Sequence, residues 1–127
     1  MSEQTAKFRF LNYQIHSSSI NIHNAESADK DLQIDIKKSN KEEETNNLYS
    51  LFFEIIIKDK NGSLDIYINI EGKFEFNQDL ADSEKESFFN INAPAILFPY
   101  VRAYISTLTS LSGINPIILP TINLSNR

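Results

Sequence analysis

Leu64–Asn77 reads LDIYINIEGKFEFN, with Leu, Ile, Phe or Gly at every even position and mostly polar side chains at the odd ones. Alternation of period two over fourteen residues is typical of a β-strand with one face in the core and one in water. Gly72 interrupts the apolar row, which favours a bulge or a bend at that point. The stretch therefore predicts a long strand in a half-buried sheet.

A second predicted strand precedes this one and pairs with it. Residues 49–57 carry apolar side chains at their odd positions and also at Phe52 and Ile56. Apolar residues on both faces favour a central strand. The connection 58–62 contains Asn61-Gly62, a pair suited to positive φ angles, so the two strands are predicted to form a hairpin.

Two further strands are predicted nearer the N-terminus. Residues 32–37 alternate and predict a short strand, whereas residues 38–47, with three consecutive glutamates, are expected to be a solvated loop. In residues 8–23 the apolar side chains change from even to odd positions and back. One extra residue in a strand reverses the facing of every later side chain, so this pattern predicts a bulged strand.

One long helix is predicted at about 94–112. Its apolar stripe consists of Ile96, Leu97, Tyr100, Val101, Tyr104, Ile105, Leu108 and Leu111. Asn92 is the expected N-cap, Pro94 suits the first turn, and Gly113 is expected to end the helix. The opposite face is small and uncharged at Ala103, Ser106, Thr107 and Ser110.

The remaining segments complete a single domain over residues 1–127. Residues 79–86 are polar and predict a loop or a short helix, and the prolines of 113–127 predict an extended tail. Four strands and one long helix indicate an α+β domain with the helix on one face of the sheet.

Charge is distributed unevenly along the chain. All seventeen acidic residues precede residue 90, and Arg102 is the only charged residue in 88–126. A surface helix normally shows water a charged face, so we expect another subunit to cover part of this segment. The alternative is a surface of uncharged Ser, Thr and Asn side chains.

Composition excludes several classes of protein. The chain has no cysteine, which excludes disulfides and thiolate metal sites, and its net charge of −5 argues against nucleic-acid binding. The N-terminus lacks the features of a signal peptide, and no segment reads as a membrane span. We therefore expect a cytoplasmic protein.

The segment 92–102, NAPAILFPYVR, closely resembles the motif that opens the main helix of the SecB protein-export chaperones, approximately (N/C)-P-x-I-L-F-P-Y-x-R. The tail 114–123, INPIILPTIN, resembles the family's F/I-P-x-x-L-x-P-x-N pattern. The resemblance covers roughly residues 8–123 and is most specific after Asn92. The fold that it implies is a four-stranded antiparallel sheet packed against one long helix.

The resemblance also implies an activity. SecB-like proteins are ATP-independent chaperones without a cofactor, and they hold unfolded chains in apolar grooves. Their protomers pair into a dimer with a continuous sheet, and two dimers stack through their helices into a tetramer. Such an assembly would account for the uncharged helix.

This sequence departs from the export chaperones in several respects. The second helix and the acidic tail that follow in those proteins are expected to be absent, since the sequence stops at Arg127. Ser19, His23 and Tyr67 fall where the family has its acidic contacts to the motor SecA, which argues against SecA as a partner. SecB-like relatives also act as dedicated chaperones of an antitoxin in toxin–antitoxin–chaperone systems, and short solitary members occur; either role fits this chain better than classical export.

The candidate site residues form two sets. Client binding is assigned to six aromatic side chains, Phe52, Phe53, Phe74, Phe76, Phe88 and Phe89. For three of them, Phe53, Phe74 and Phe76, packing in the core is the stronger alternative. Phe52 is favoured because its neighbours on the same strand face are polar. The family motif and the expected oligomer interface comprise Pro94, Ile96, Leu97, Phe98, Pro99, Tyr100, Arg102, Ser106 and Ser110. For Arg102 we expect a structural role, as a salt bridge at that interface, rather than simple exposure.

No residues indicate an enzyme, a metal site or a cofactor. His16 and His23 have no third ligand near them in sequence, and Asp65, Glu71 and Glu75 are expected to be solvated acids. Three hypotheses therefore remain: a holdase for non-native polypeptides, a dedicated chaperone of one partner such as an antitoxin, and a structural oligomer without clients.

Overall fold

The computed structural model describes residues 7–28 and 31–120, and within them the four predicted strands form one antiparallel sheet. The strands are β1 (Phe8–Ile22), β2 (Leu32–Glu43), β3 (Leu48–Asp59) and β4 (Leu64–Phe76), in the order β1-β4-β3-β2. The helices are α1 (Asp82–Ser87) and α2 (Ala93–Leu111), joined by a π-helical turn at Phe88–Asn92. This α+β architecture confirms the predicted fold class.

The hairpin of β3 and β4 lies at the centre of the sheet, as their hydrophobicity predicts. Burial alternates along both strands, with Phe53, Ile55, Ile66 and Ile68 among the buried side chains that face α2. The turn differs from the predicted one, because positive φ falls on Gly62 (71°) and not on Asn61.

The carboxylate of Asp59 organises this turn. Its Oδ1 accepts hydrogen bonds from the backbone N–H groups of Ser63 at 2.6 Å and Leu64 at 3.0 Å. Burial alone would raise the pKa of Asp59, but these hydrogen bonds favour the charged form and hold the pKa below its ordinary value. The Asp59 carboxylate thus holds the turn between β3 and β4 closed, and Gly62 is the one residue of this turn with a positive φ.

Strand β2 is longer than the sequence pattern indicates. The prediction of a solvated loop at 38–47 is wrong for residues 38–43, which pair with β3 from Lys38 opposite Phe53 to Glu43 opposite Leu48. The segment lies on an edge strand, where Lys41, Glu42 and Glu43 remain exposed to water and Lys38 is half-buried. Residues 38–43 are part of the strand because they pair with the apolar strand β3, although their own sequence lacks alternation of apolar and polar residues.

The predicted irregularity of β1 is confirmed. Its register with β4 shifts between Phe10 and Asn12 and again between Ile15 and Ser17, which leaves Leu11 and His16 as the extra residues. Phe10 before the first shift, Ile15 between the two shifts and Ile20 after the second therefore all pack against the core.

Gly72 does not mark a bulge in β4, because the pairing of β3 with β4 runs without a shift through Leu51 opposite Gly72. The glycine instead lies beneath α2. A Cβ atom at this position would lie 3.0 Å from both δ-carbons of Leu97, whose side chain is fully buried. The interruption of the apolar row therefore marks a close approach of helix and sheet.

The start of the long helix also differs from the prediction. Asn92 is not an N-cap: its φ of −74° and ψ of −45° are helical, because the π-helical turn joins α1 to α2 without a break. Pro94 lies in the first turn of α2 and Pro99 lies inside it. The predicted end is confirmed, since Gly113 follows α2 with a φ of 93°.

Candidate functional site

The aromatic residues assigned to client binding divide between the core and the surface. Phe53, Phe74, Phe76 and Phe89 are buried, at 0%, 0%, 3% and 9% exposure. The rings of Phe89 and Tyr49 stack with centroids 3.8 Å apart. These four side chains hold α2 and the π-helical turn against the sheet, which is the core packing that the sequence offered as the alternative.

Phe52 and Phe88 are half-buried and differ in position. Phe88 stacks on Phe8 at 5.1 Å beside the core. Phe52 lies on the face of the sheet turned away from α2, as its parity predicts, directly opposite Glu71 of β4 and Ser39 of β2. Of the six assigned aromatic residues, Phe52 is the one presented on this outer face.

A cavity of about 400 Å³, here called the outer-face pocket, opens beside Phe52. Its apolar lining comes from Leu11, Leu48 and Phe52, and its polar lining includes Lys41, Ser50, Glu71 and Lys73. Leu11 is the extra residue at the first shift of β1 and is 40% exposed. Four strands thus contribute to one pocket that no short stretch of sequence contains.

Glu71 is the buried charge of this pocket and corrects the expectation of a solvated acid, since it is only 9% exposed. The Nε2 atom of His16 lies 2.7 Å from its Oε1 atom. Burial alone would raise the pKa of Glu71, but hydrogen bonds from Ser50 and His16, with the charge of Lys73, lower it below the ordinary value.

The pairing of His16 with Glu71 was not predicted from the sequence. His16 is the extra residue at the second shift of β1, which brings it to the outer face beside β4. The parity change in residues 8–23 signals the shift, but the partner of the histidine depends on the register between strands distant in sequence.

A second surface lies on α2. Pro94, Leu97 and Phe98 of the family motif are buried and belong to the core, and Ile96, Arg102 and Ser106 are half-buried. We call the outward side of this helix the helix surface; it consists of the half-buried Ser106 and the exposed residues Ala95, Pro99, Tyr100, Ala103, Thr107, Ser110 and Leu111. It carries no charge, and Leu111 is 82% exposed.

Aromatic side chains extend the helix surface toward the edge of the sheet. The ring of Tyr100 lies 4.6 Å from that of Tyr13 and 5.5 Å from that of Phe10, both on β1. Tyr13 and Tyr100 remain 42% and 39% exposed. Exposed apolar side chains of this density are typical of a surface that binds another protein.

Arg102 has a structural role of a different kind from the one expected. Its Nε atom donates a hydrogen bond to the backbone oxygen of Leu119 at 3.0 Å, and it forms no salt bridge with any residue of 7–28 or 31–120. The arginine thereby holds the segment that follows α2.

The predicted extended tail is confirmed as far as residue 120 and packs back along α2. Ile114, Ile117 and Leu119 are buried, and the Oγ1 atom of Thr109 accepts a hydrogen bond from the Ile117 N–H at 2.9 Å. Ile118 points outward and is 73% exposed. The part of the predicted tail from 121 to 127 lies outside the described residues.

Within residues 7–28 and 31–120, no three His, Cys, Asp or Glu side chains are grouped so that they could hold a metal ion. None of the helices described there has the length and apolar character needed to cross a membrane.

Known protein families and individual relatives show what this chain is similar to. The family model described as "Preprotein translocase subunit SecB" matches residues 3–126. An uncharacterized protein of Methanocaldococcus jannaschii is 47% identical over 62 residues, which cover 47% of this chain and 39% of that protein. The protein-export protein SecB of Anaplasma phagocytophilum is 39% identical over 51 residues, which cover 40% of this chain and 32% of that protein. The matched segments thus span less than two fifths of each relative.

Solved structures share the fold. The SecB-like chaperone of Mycobacterium tuberculosis, in complex with a ChAD peptide from the HigA1 antitoxin, superimposes with a TM-score of 0.76 and 12% identity over 91% of this chain and 88% of that one. A protein of unknown function from Streptococcus agalactiae gives a TM-score of 0.51 and 11% identity over 93% of this chain and 100% of that one. At these identities the likeness concerns the fold alone.

Proposed function

Because the chain belongs to the SecB family, we propose that it is a cytoplasmic, ATP-independent holdase that shields apolar segments of non-native polypeptides. SecB-like chaperones are non-enzymatic holdases, which agrees with the prediction that this chain is not an enzyme. The observation that carries the proposal is the outer-face pocket, where Phe52 and Leu11 present apolar surface beside charged groups.

The helix surface and the outer-face pocket lie on opposite sides of the sheet, so they can serve different partners. We assign the helix surface to self-association, as a dimer or a dimer of dimers, because it is uncharged over residues 93–111 except for Arg102. The pockets then remain open on the outside of the assembly. Several weak pockets on one oligomer bind an unfolded chain more tightly than one pocket alone.

Phe52→Ala tests the assignment of the pocket. A half-exposed phenylalanine that becomes buried by a client contributes about 1 kcal/mol, so we expect roughly fivefold weaker suppression of client aggregation. The measurement is light scattering during dilution of a denatured client, with and without ATP, which is expected to have no effect. The matched control is Ile56→Ala, which removes another half-buried side chain of β3 on the same face but outside this pocket.

Two results would contradict these assignments separately. If the wild-type protein in excess leaves client aggregation unchanged, the holdase proposal is wrong. If Phe52→Ala and Ile56→Ala both act like the wild type, clients are held elsewhere and the assignment of the pocket is wrong.

A dedicated chaperone of one partner is the second candidate, and one observation favours it. The SecB-like chaperone that superimposes over 91% of this chain holds a peptide from an antitoxin. SecA is less favoured, since Ser19 and Tyr67 face each other on the outer side of the sheet and neither is acidic.

A native pull-down from the protein's own cells, followed by mass spectrometry, separates the candidates. Many non-native polypeptides indicate a general holdase, and one dominant protein indicates a dedicated chaperone. Recovery of this chain alone indicates the third hypothesis, a structural oligomer without clients.

A further inference from the structure

We propose that residues 114–120, here called the strap, fill a second polypeptide-binding groove, and that an extended apolar segment of a client can take their place. The groove lies on the inner face of the sheet, beside α2, and is therefore distinct from the outer-face pocket. The proposal rests on the polypeptide-binding function proposed above and goes beyond it, because it names a second site and the class of segment that fits there.

The two flanks of α2 have different neighbours. Tyr100 and Tyr104 contact β1 along one flank, whereas Arg102 and Thr109 contact the strap along the other. The helix itself packs over β1 and β4, and the next strand of the sheet is β3. The strap therefore lies on the side of α2 toward β3, whose inward apolar side chains are buried.

The strap occupies this position as an extended peptide would. Ile114, Ile117 and Leu119 are buried within the core cluster, whereas Ile118 is 73% exposed, so side chains at 117, 118 and 119 point alternately in and out. No residue of the strap is charged. An uncharged non-native segment with the same alternation presents the same side chains to the groove.

Side chains of α2, and not a strand ladder, hold the strap. The Oγ1 atom of Thr109 accepts a hydrogen bond from the Ile117 N–H at 2.9 Å, and the Nε atom of Arg102 donates to the Leu119 oxygen at 3.0 Å. Within the described part of the chain, no backbone group forms a backbone–backbone hydrogen bond with residues 116–120. Release of the strap thus leaves every ladder bond of the sheet in place, as a local opening does.

Competition between strap and client sets the affinity of the groove. Because a short connection joins the strap to α2, its effective concentration over the groove is of millimolar order. The apparent affinity for a client is the intrinsic affinity reduced by the fraction of chains whose strap is released. A change that loosens the strap is therefore expected to strengthen client binding.

The first test uses three fluorescein-labelled peptides, whose binding to the full chain is measured by fluorescence anisotropy. One has the sequence of residues 114–120, the second carries Ile118→Ser, and the third carries Ile117→Ser with Leu119→Ser. The first two are expected to bind alike, because Ile118 points outward. The third is expected to bind at least about tenfold more weakly, because it lacks both large side chains that become buried.

Variants of the protein test whether the strap competes. Thr109→Val removes the acceptor of the Ile117 N–H and is expected to bind the first peptide roughly fivefold more tightly than the wild type. The matched control is Thr45→Val, the same change at an exposed position between β2 and β3, which should bind as the wild type does. If Thr109→Val does not fold, Arg102→Met removes the donor to Leu119 and carries the same expectation.

Hydrogen exchange locates the binding. When a client segment takes the groove, the Ile117 amide loses its bond to Thr109, so at saturating peptide it is expected to exchange at least about fivefold faster than in the free protein. Amides of the ladder between β3 and β4 serve as the control and should exchange as before.

The outcomes separate this inference from the holdase proposal. Equal binding of the second and third peptides overturns it, as do equal binding by the wild type and the loosened variant, unchanged exchange at Ile117, and absence of binding. If the loosened variant doubles in mass by native mass spectrometry without binding the peptide, the groove takes the strap of a second copy, which also overturns the inference. In each case, suppression of client aggregation by the wild type would still support holdase activity.

Discussion

Gly72 and Leu97 form a contact on which the packing of α2 depends. Gly72 is the one position in the inward row of β4 that lacks a side chain, and the Leu97 δ-carbons occupy the space where a Cβ atom would lie. Both residues are buried, and Leu97 is 0% exposed. The family motif therefore includes a leucine whose partner is a glycine more than twenty residues earlier in the chain.

Gly72→Ala is expected to lower the free energy of unfolding by about 1 kcal/mol. The reduced entropy of the unfolded chain favours the alanine by about 0.4–1 kcal/mol, but overpacking against the fully buried Leu97 costs about 1–3 kcal/mol. Urea unfolding measures the difference. In a Leu97→Val background, which lacks the δ-carbons, the same substitution should be neutral or stabilising; a loss of equal size in both backgrounds would contradict the assignment.

Even and odd positions of β3 face opposite sides of the sheet, and this alternation predicts the different surroundings of two adjacent phenylalanines. Phe53 faces α2 and packs edge-on against Phe98 at 6.2 Å, whereas Phe52 faces outward beside the pocket. The sequence could not predict the burial of Glu71, because its partner His16 reaches it only through the second shift of β1.

At the scale of the elements, hydrogen bonds join α2 to the segment that follows it, beside buried apolar side chains. Thr109 is fully buried; its hydroxyl lies 2.8 Å from the Ile105 oxygen and accepts from the Ile117 N–H at 2.9 Å. Earlier on α2, the Nε atom of Arg102 donates a hydrogen bond to the backbone oxygen of Leu119 at 3.0 Å. These contacts position Ile117 and Leu119 over the core.

Thr109→Val is expected to lower the free energy of unfolding by about 1–3 kcal/mol, because it leaves the buried Ile117 N–H without an acceptor. The matched control is Thr107→Val, at an exposed position of the same helix, which should change stability by less than about 0.5 kcal/mol. Urea unfolding gives the energies, and hydrogen exchange is expected to show faster exchange of the Ile117 amide. Unchanged exchange at that amide would show that Thr109 does not hold the tail.

The elements also show how far the sequence predicts the fold. Period-two alternation predicted β3 and β4, and the apolar stripe predicted α2, because in each case one face packs on a core. Residues 38–43 lacked this pattern, since an edge strand with exposed side chains is recognised only by its pairing. The N-cap at Asn92 was wrong because the π-helical turn makes the residues before it helical as well.

For the whole molecule, the uncharged helix surface is the feature that a single chain does not account for. Exposed Tyr100 and Leu111, with Tyr13 on the neighbouring strand, present apolar surface to water on the side opposite the outer-face pocket. Self-association would cover it and leave the pockets accessible.

Ser106→Glu combined with Ser110→Glu is expected to weaken self-association at least tenfold, because the charges would face the same uncharged surface of a second copy. Native mass spectrometry over a range of protein concentrations measures the assembly. The control is Ser19→Glu with Ser39→Glu, which adds equal charge on the outer face, where both serines are exposed. If the mass of the Ser106 and Ser110 variant stays that of the wild type, the helix surface is not the interface.

The sequence by itself determined the sheet-and-helix architecture, the family, the outward facing of Phe52 and the near absence of charge from residues 88–126, where Arg102 is the only charged residue. These features follow from local periodicity and from a motif of eleven consecutive residues. Only the tertiary structure decided that Lys41, Ser50 and Lys73 form one row, that His16 meets Glu71, and that Leu97 lies over Gly72. The physical reason is that register between strands, and the height of a helix above a sheet, depend on packing between residues distant in the chain, which no local pattern records.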